Sequence, residues 1–302
     1  MVKKLTRLWL FLGLLVVIVI AAAWQIFIYS EVGMAKTVGV PEPSLSAYEY
    51  SSIPQFVIND ATELAKELVG KSQDRFQDVQ QQLLATYLAA RDSDVVVVFN
   101  PGGWGWNPLE RTPGWDSILE GIESELNGLG YTSLALNYQR TSKDLRGCIR
   151  EFAAVLTRYP AKARELSERV KFLTGHIPNL KVVIAGESTG TVISDRTMAL
   201  LRNDPQVYSI QTGTPFWHKP KALDRTLLMN SNGKAIDTFS YGKISAMIWA
   251  TLKNWLGFSS TDENPGNILS WLRAPGHYYS WQYPGVYSAI IKFINENFIS
   301  KK

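Results

Sequence analysis

The chain has 302 residues, of which 46% are hydrophobic and 19% charged. That apolar content excludes a disordered chain, and the length fits one domain of about 250 residues with an appended segment. The formal net charge is +4, and Lys3, Lys4 and Arg7 supply three of those charges. The rest is near neutral, so no nucleic-acid partner is expected. A single cysteine, Cys148, excludes an internal disulfide framework and any zinc site built on paired thiolates.

Residues 1–29 read as an N-terminal membrane anchor. Leu8 to Ala23 is an unbroken apolar run, extended by Trp24, Ile26, Phe27, Ile28 and Tyr29. About 20 such residues in a helix span a hydrocarbon core. The basic flank places the N-terminus in the cytosol and the rest on the non-cytosolic side of a single-pass membrane protein. The rival reading is a cleaved signal peptide, with Ala21-Ala22-Ala23 as the cleavage site and a secreted product. The run is long for a signal and continues past that site, which favours the retained anchor.

Residues 30–54 are rich in Pro, Gly and Ser and read as a linker or arm. Residues 55–302 form the candidate domain. Apolar steps of three and four predict helices over 60–91, with Ser72 capping the second. Val95 to Phe99 is a β-branched run of the kind buried on both faces of a parallel sheet. Helix is expected at 116–129, strand at 132–137, helix at 143–159 and strand at 182–185. Helix follows at 191–201, strands at 207–211 and 226–229, a helix at 244–256 that reads as core-facing, with a mobile lid as the alternative, and a terminal helix at 286–298. This alternation predicts an α/β fold: a mainly parallel sheet of about six strands, helices on both faces, plus the transmembrane helix.

One strand–turn–helix junction carries chemistry. Gly186-Glu187-Ser188-Thr189-Gly190 directly follows the apolar strand at 182–185. A serine on so sharp a turn projects its hydroxyl above the sheet, and flanking glycines let strand and helix backbones approach. In this context the sequence resembles the α/β-hydrolase superfamily, and the Gly-Glu-Ser-x-Gly form is similar to the elbow of carboxylesterases. The resemblance runs from about residue 94 to 300. It implies a nucleophile, an acid and a histidine in that chain order, with no cofactor and no metal. The family's usual first two strands have no evident counterpart.

The resemblance implies Ser188 as nucleophile and His277 as base, because His277 precedes the terminal helix. His218 is the rival base, and His176 falls at the wrong end of the sheet. Asp237 is the expected acid, with Asp262 second; Asp224 precedes its strand and is expected away from the site. For the oxyanion hole the resemblance implies backbone N–H groups of Thr189 and of Gly103 or Trp104, with Gly102 as an alternative. Asn100-Pro101 stands where the family carries histidine, and Pro101 has no N–H to give. Trp104, Trp106 and Trp115 either line an apolar cleft or pack over the sheet end.

The implied activity is cleavage of an ester or related acyl bond through a Ser-His-Asp triad, on an acyl or ester small molecule or a lipid. An acyltransferase or a peptidase on the same triad remains open, as does a non-catalytic binding or scaffold protein on a degenerate fold.

Overall fold

The computed structural model describes residues 45–69, 73–105, 112, 114–138, 140, 145–258, 266–268 and 272–299. The predicted anchor at 1–29, most of the arm, Ser72, Trp106 and Asp262 lie outside the described residues, as does the side chain of Cys148. No helix among the described residues is long and apolar enough to cross a membrane.

In chain order the elements are α1 (Ala47–Ser51), α2 (Gln55–Val69), α3 (Gln73–Ala90), β1 (Val95–Asn100), α4 (Trp115–Gly128), β2 (Ser133–Asn137), α5 (Leu145–Leu156) and α6 (Pro160–His176). They continue with β3 (Lys181–Glu187), α7 (Thr189–Leu200), β4 (Val207–Thr212), β5 (Thr226–Met229), α8 (Ile244–Trp255), β6 (Gly266–Ile268), β7 (Leu272–Ala274) and α9 (Pro284–Phe298).

Five strands form one parallel sheet in the order β2-β1-β3-β4-β5. The expectation of about six strands becomes five among the described residues. Residues 266–268 and 272–274 pair as an antiparallel two-stranded ribbon, β6–β7, outside that sheet.

The strand sequences explain why the sheet is covered on both sides. Side chains alternate across a strand, so an unbroken Val run must bury both faces. Val96 and Val98 pack with Val182, Ile184 and Val207 under α2, α3, α6 and α7. Val95, Val97 and Phe99 pack with Val183, Ala185 and Ile210 under α4 and α9. The end of the arm joins the first layer through buried Ile53 and partly buried Leu45.

Two helices were not expected from the sequence: the short α1 within the arm, and α6. α6 starts with Pro160 at a first-turn position, where a missing N–H costs nothing. Ala163, Leu166, Val170 and Leu173 form its buried stripe, but charged residues between them dilute the pattern. The expectation for α8 is also corrected. It is not core-facing: only Met247 and Thr251 are buried, and most of its apolar residues face solvent.

The chain runs from β1 outward to β2, then returns across β1 to β3. Strand order therefore reverses between β1 and β3. The crevice beyond the carboxyl ends of two such strands is where open α/β sheets bind ligands. Asn100 at the end of β1 is in register with Gly186 of β3, so the glycine-rich loop and the Gly-Glu-Ser-Thr-Gly turn emerge side by side.

Candidate active site

Ser188 sits between the end of β3 and the start of α7 with φ 51° and ψ −122°. A non-glycine residue in that conformation is strained, and the surroundings hold it there. Its N–H donates to the Thr212 carbonyl of β4 at 2.9 Å. The flanking glycines answer to contacts. A Cβ on Gly186 would lie 2.6 Å from Ser194 Oγ and 3.0 Å from the Thr191 backbone. A Cβ on Gly190 would drive into the Asn100 carbonyl oxygen. Both residues are glycine because strand, loop and helix backbones converge there.

The loop after β1 lies against the serine. A Cβ on Gly102 would sit 3.0 Å from Ser188 Cβ. The Gly102 N–H donates to Glu187 Oε2 at 3.2 Å, so that carboxyl already occupies it. Gly103 has φ +58°, and its carbonyl accepts from Thr189 Oγ1 at 3.0 Å. Among the described residues, no protein acceptor takes the N–H of Gly103 or Thr189. Trp104 follows, half-buried. Burial pushes the Glu187 carboxyl above the usual range, against the opposing pull of His277, the Gly102 N–H and Arg140.

His277 and Asp237 are both buried and face each other, Nδ1 to Oδ2 at 2.7 Å. With a carboxylate on Nδ1, the neutral ring carries its proton there and leaves Nε2 as the base. Asp237 is fully engaged. Its Oδ2 also accepts from Ser240 Oγ and from the Tyr279 hydroxyl, each at 2.9 Å. Its Oδ1 accepts the N–H groups of Phe239 and Ser240 at 2.9 and 3.1 Å. Burial acts to raise the Asp237 carboxyl, but His277, the Ser240 N–H and Tyr279 hold it below its ordinary value. Desolvation and the adjacent Asp237 push the Tyr279 phenol well up, so it remains a donor.

The pair approaches the serine through β4. Gly213 follows Thr212, the residue that accepts the Ser188 N–H. A Cβ on Gly213 would lie 2.6 Å from His277 Cε1 and 3.1 Å from Asp237 Oδ2. The end of β4 thus carries Ser188 on one side and the His277–Asp237 pair on the other. Trp115 braces this end from below, donating Nε1–H to Thr212 Oγ1 at 2.9 Å. Trp115 is fully buried against Phe99, so of the two readings offered for it, packing is the one observed.

The other histidines have structural surroundings. His176 lies beside Phe56 and Phe172, with Nε2 3.0 Å from Asp60, and ties α6 to α2. His218 forms a buried pair with Asp195 of α7 at 2.9 Å. Asp195 also accepts the Lys221 N–H, so the pair fastens the loop after β4 to α7. Asp224 is exposed. Among the described residues no cluster of His, Cys, Asp and Glu is arranged to hold a metal ion.

Arg140 was not anticipated. Its guanidinium bonds the Pro101 carbonyl, the Gly103 carbonyl at 3.0 Å and Thr189 Oγ1 at 3.0 Å. Its Nε meets Glu151 of α5 at 2.9 Å, and both side chains are wholly buried. Glu151 is further bound by Tyr159 Oη at 2.8 Å and by Lys162. One guanidinium therefore fastens the glycine-rich loop to the serine turn. An arginine shortly beyond the end of β2, at the same sheet edge, is a weak signal that pattern reading passes over.

No family model matches this sequence, and no curated protein does. Among solved structures, the chain is similar to a Trichoderma reesei cutinase in complex with a C11Y4 phosphonate inhibitor. The identity is 14% and the TM-score 0.33, over 64% of this chain and 88% of the cutinase.

Proposed function

We propose that this chain is a serine hydrolase that cleaves an ester or related acyl bond. The observation that carries the reading is the convergence on the end of β4: the strained Ser188 turn bonds Thr212, and the His277–Asp237 pair lies over Gly213.

In this reading His277 Nε2 takes the Ser188 hydroxyl proton as Oγ attacks the acyl carbon. The carbonyl π bond breaks, and its electron pair becomes an oxyanion. The N–H groups of Gly103 and Thr189 receive that charge. They need no reorganisation, because Arg140 and the Thr189 hydroxyl fix the loop that carries Gly103. Asp237 orients the ring and stabilises its charged form. The imidazolium returns its proton to the leaving group as the acyl–oxygen bond breaks. Water, deprotonated by the same nitrogen, then releases the acid and restores Ser188. Residues 8–29 tether the domain to a membrane.

The test is turnover of a short-chain p-nitrophenyl ester by the full chain. Ser188→Ala and His277→Ala are each expected to abolish it while His218→Ala retains it. Full activity in Ser188→Ala overturns the reading.

A further inference from the structure

We propose that the outer face of α8 is a membrane-docking surface that seats in the headgroup and acyl boundary of an anionic lipid bilayer. At about 100° per residue, Ile244, Trp255, Ile248, Leu252, Leu256 and Trp249 fall within an arc of about 140° that Ser245 interrupts, with the buried Thr251 and Met247 beside its Ile244 edge. All six are exposed; Trp249 and Trp255 are each 61% exposed, and Phe258 just beyond the helix is 74%. Tyr241 and Phe216 continue the patch beside the start of the helix. Soluble monomers rarely leave so much contiguous apolar surface uncovered unless it binds something.

Composition and charge select a lipid surface as the occupant. No acidic residue occurs between Thr238 and Ser260, whereas Lys253 borders the apolar arc and Lys243 stands at the start of the helix. Lys253 Nζ stands 5.5 Å over the Trp249 ring, with its stem along the helix and its charge at the rim. Lysine is depleted at protein–protein interfaces, whereas Trp with Lys on an amphipathic helix is the composition of an interfacial one. The chain supplies the proximity as well. The 15 residues numbered 30–44 between the apolar run and Leu45 reach at most about 50 Å, which keeps the domain at the bilayer to which residues 8–29 tether it.

The surface is continuous with the candidate site. Met247 on the inner side of α8 packs with Phe239 and Ala274. Phe239 lies edge-on to the His277 ring at 5.0 Å and to Phe216 at 6.1 Å. Phe239 therefore connects both the buried side of α8 and the Phe216 edge of the patch to the His277 ring. The docking does not rest on the hydrolase reading, since a surface can bind lipid whatever the site does, but its proximity to a bilayer rests on the tether proposed for residues 8–29.

The test uses the full chain in nanodiscs of brominated phosphatidylcholine and phosphatidylglycerol, with tryptophan quenching as readout. Trp249→Phe/Trp255→Phe keeps the face apolar and removes its two indoles. The quenched emission is expected to fall by roughly half, because Trp9 and Trp24 of the tether remain in lipid. Trp281→Phe, at a position packed against Gly121 of α4, is expected to leave it unchanged. Lys243→Glu/Lys253→Glu, at two exposed positions, is expected to lower α8 quenching in discs with phosphatidylglycerol. Equal quenching in wild type and the double Phe variant overturns the proposal. So does an α8 face found covered by a second copy or by residues 1–44 instead of lipid.

Discussion

Arg140 and Glu151 face each other with both side chains withdrawn from water, Nε 2.9 Å from Oε1. The pair is anchored on the α5 side by Tyr159 and Lys162. On the other side it holds the Pro101 and Gly103 carbonyls and the Thr189 hydroxyl. Removing one member of a buried pair costs about 3–5 kcal/mol, because the other charge stays buried. The pair thereby fixes the two loops that flank Ser188.

Arg140 is accordingly expected to act as a positioning residue. Arg140→Lys keeps the charge but cannot span three acceptors with one fork. The expected result is a kcat lower by about 10²-fold with KM little changed, since the loop moves and no substrate contact is lost. Arg140→Met is expected to lose kcat and thermal stability together. Steady-state kinetics and a thermal melt separate these effects, and an unaltered kcat in both variants removes the role.

Gly190→Ala tests the elbow. The new methyl meets the Asn100 carbonyl oxygen, a backbone atom that cannot swing aside. Overpacking of this kind costs about 1–3 kcal/mol, and the displaced turn moves Ser188. A lower denaturation midpoint together with lost ester turnover is expected. Gly128→Ala, at a position where a Cβ meets nothing within 4 Å, serves as the neutral comparison.

Glu187 gives a pH-dependent prediction. Its folded carboxyl is raised above the unfolded value, chiefly by burial. The folded state therefore holds the proton more tightly, and stability falls as pH rises through the folded pKa. Glu187→Gln keeps an acceptor for the Gly102 N–H and removes that loss. The variant is expected to gain stability relative to wild type at pH 7 and to lose that gain near pH 4. Denaturant melts at the two values check the sign, and a gain that grows towards acid contradicts it.

Much of this was legible because local sequence and tertiary context agree. The β1 and β3 runs could only be strands buried on both faces, and the Gly186–Gly190 spacing marked the turn. Asp237 and His277 were legible as candidates through chain order, and they do meet. What was not legible depended on contacts between distant segments. Arg140 gains its place from Glu151 and from a glycine 37 residues earlier, neither of which a local pattern reveals. α6 was hidden by charges along its exposed side. α8 misled in the opposite sense: its apolar period matches a core helix, but only Met247 and Thr251 find a core to enter.

The central claim is that Ser188 is an activated nucleophile. The direct measurement is peptide mass mapping of the full chain after treatment with a fluorophosphonate. The account predicts one adduct on the peptide carrying Ser188, absent in Ser188→Ala and strongly slowed in His277→Ala. A folded wild type that takes no adduct, or takes it on another serine such as Ser194 or Ser240, contradicts the account.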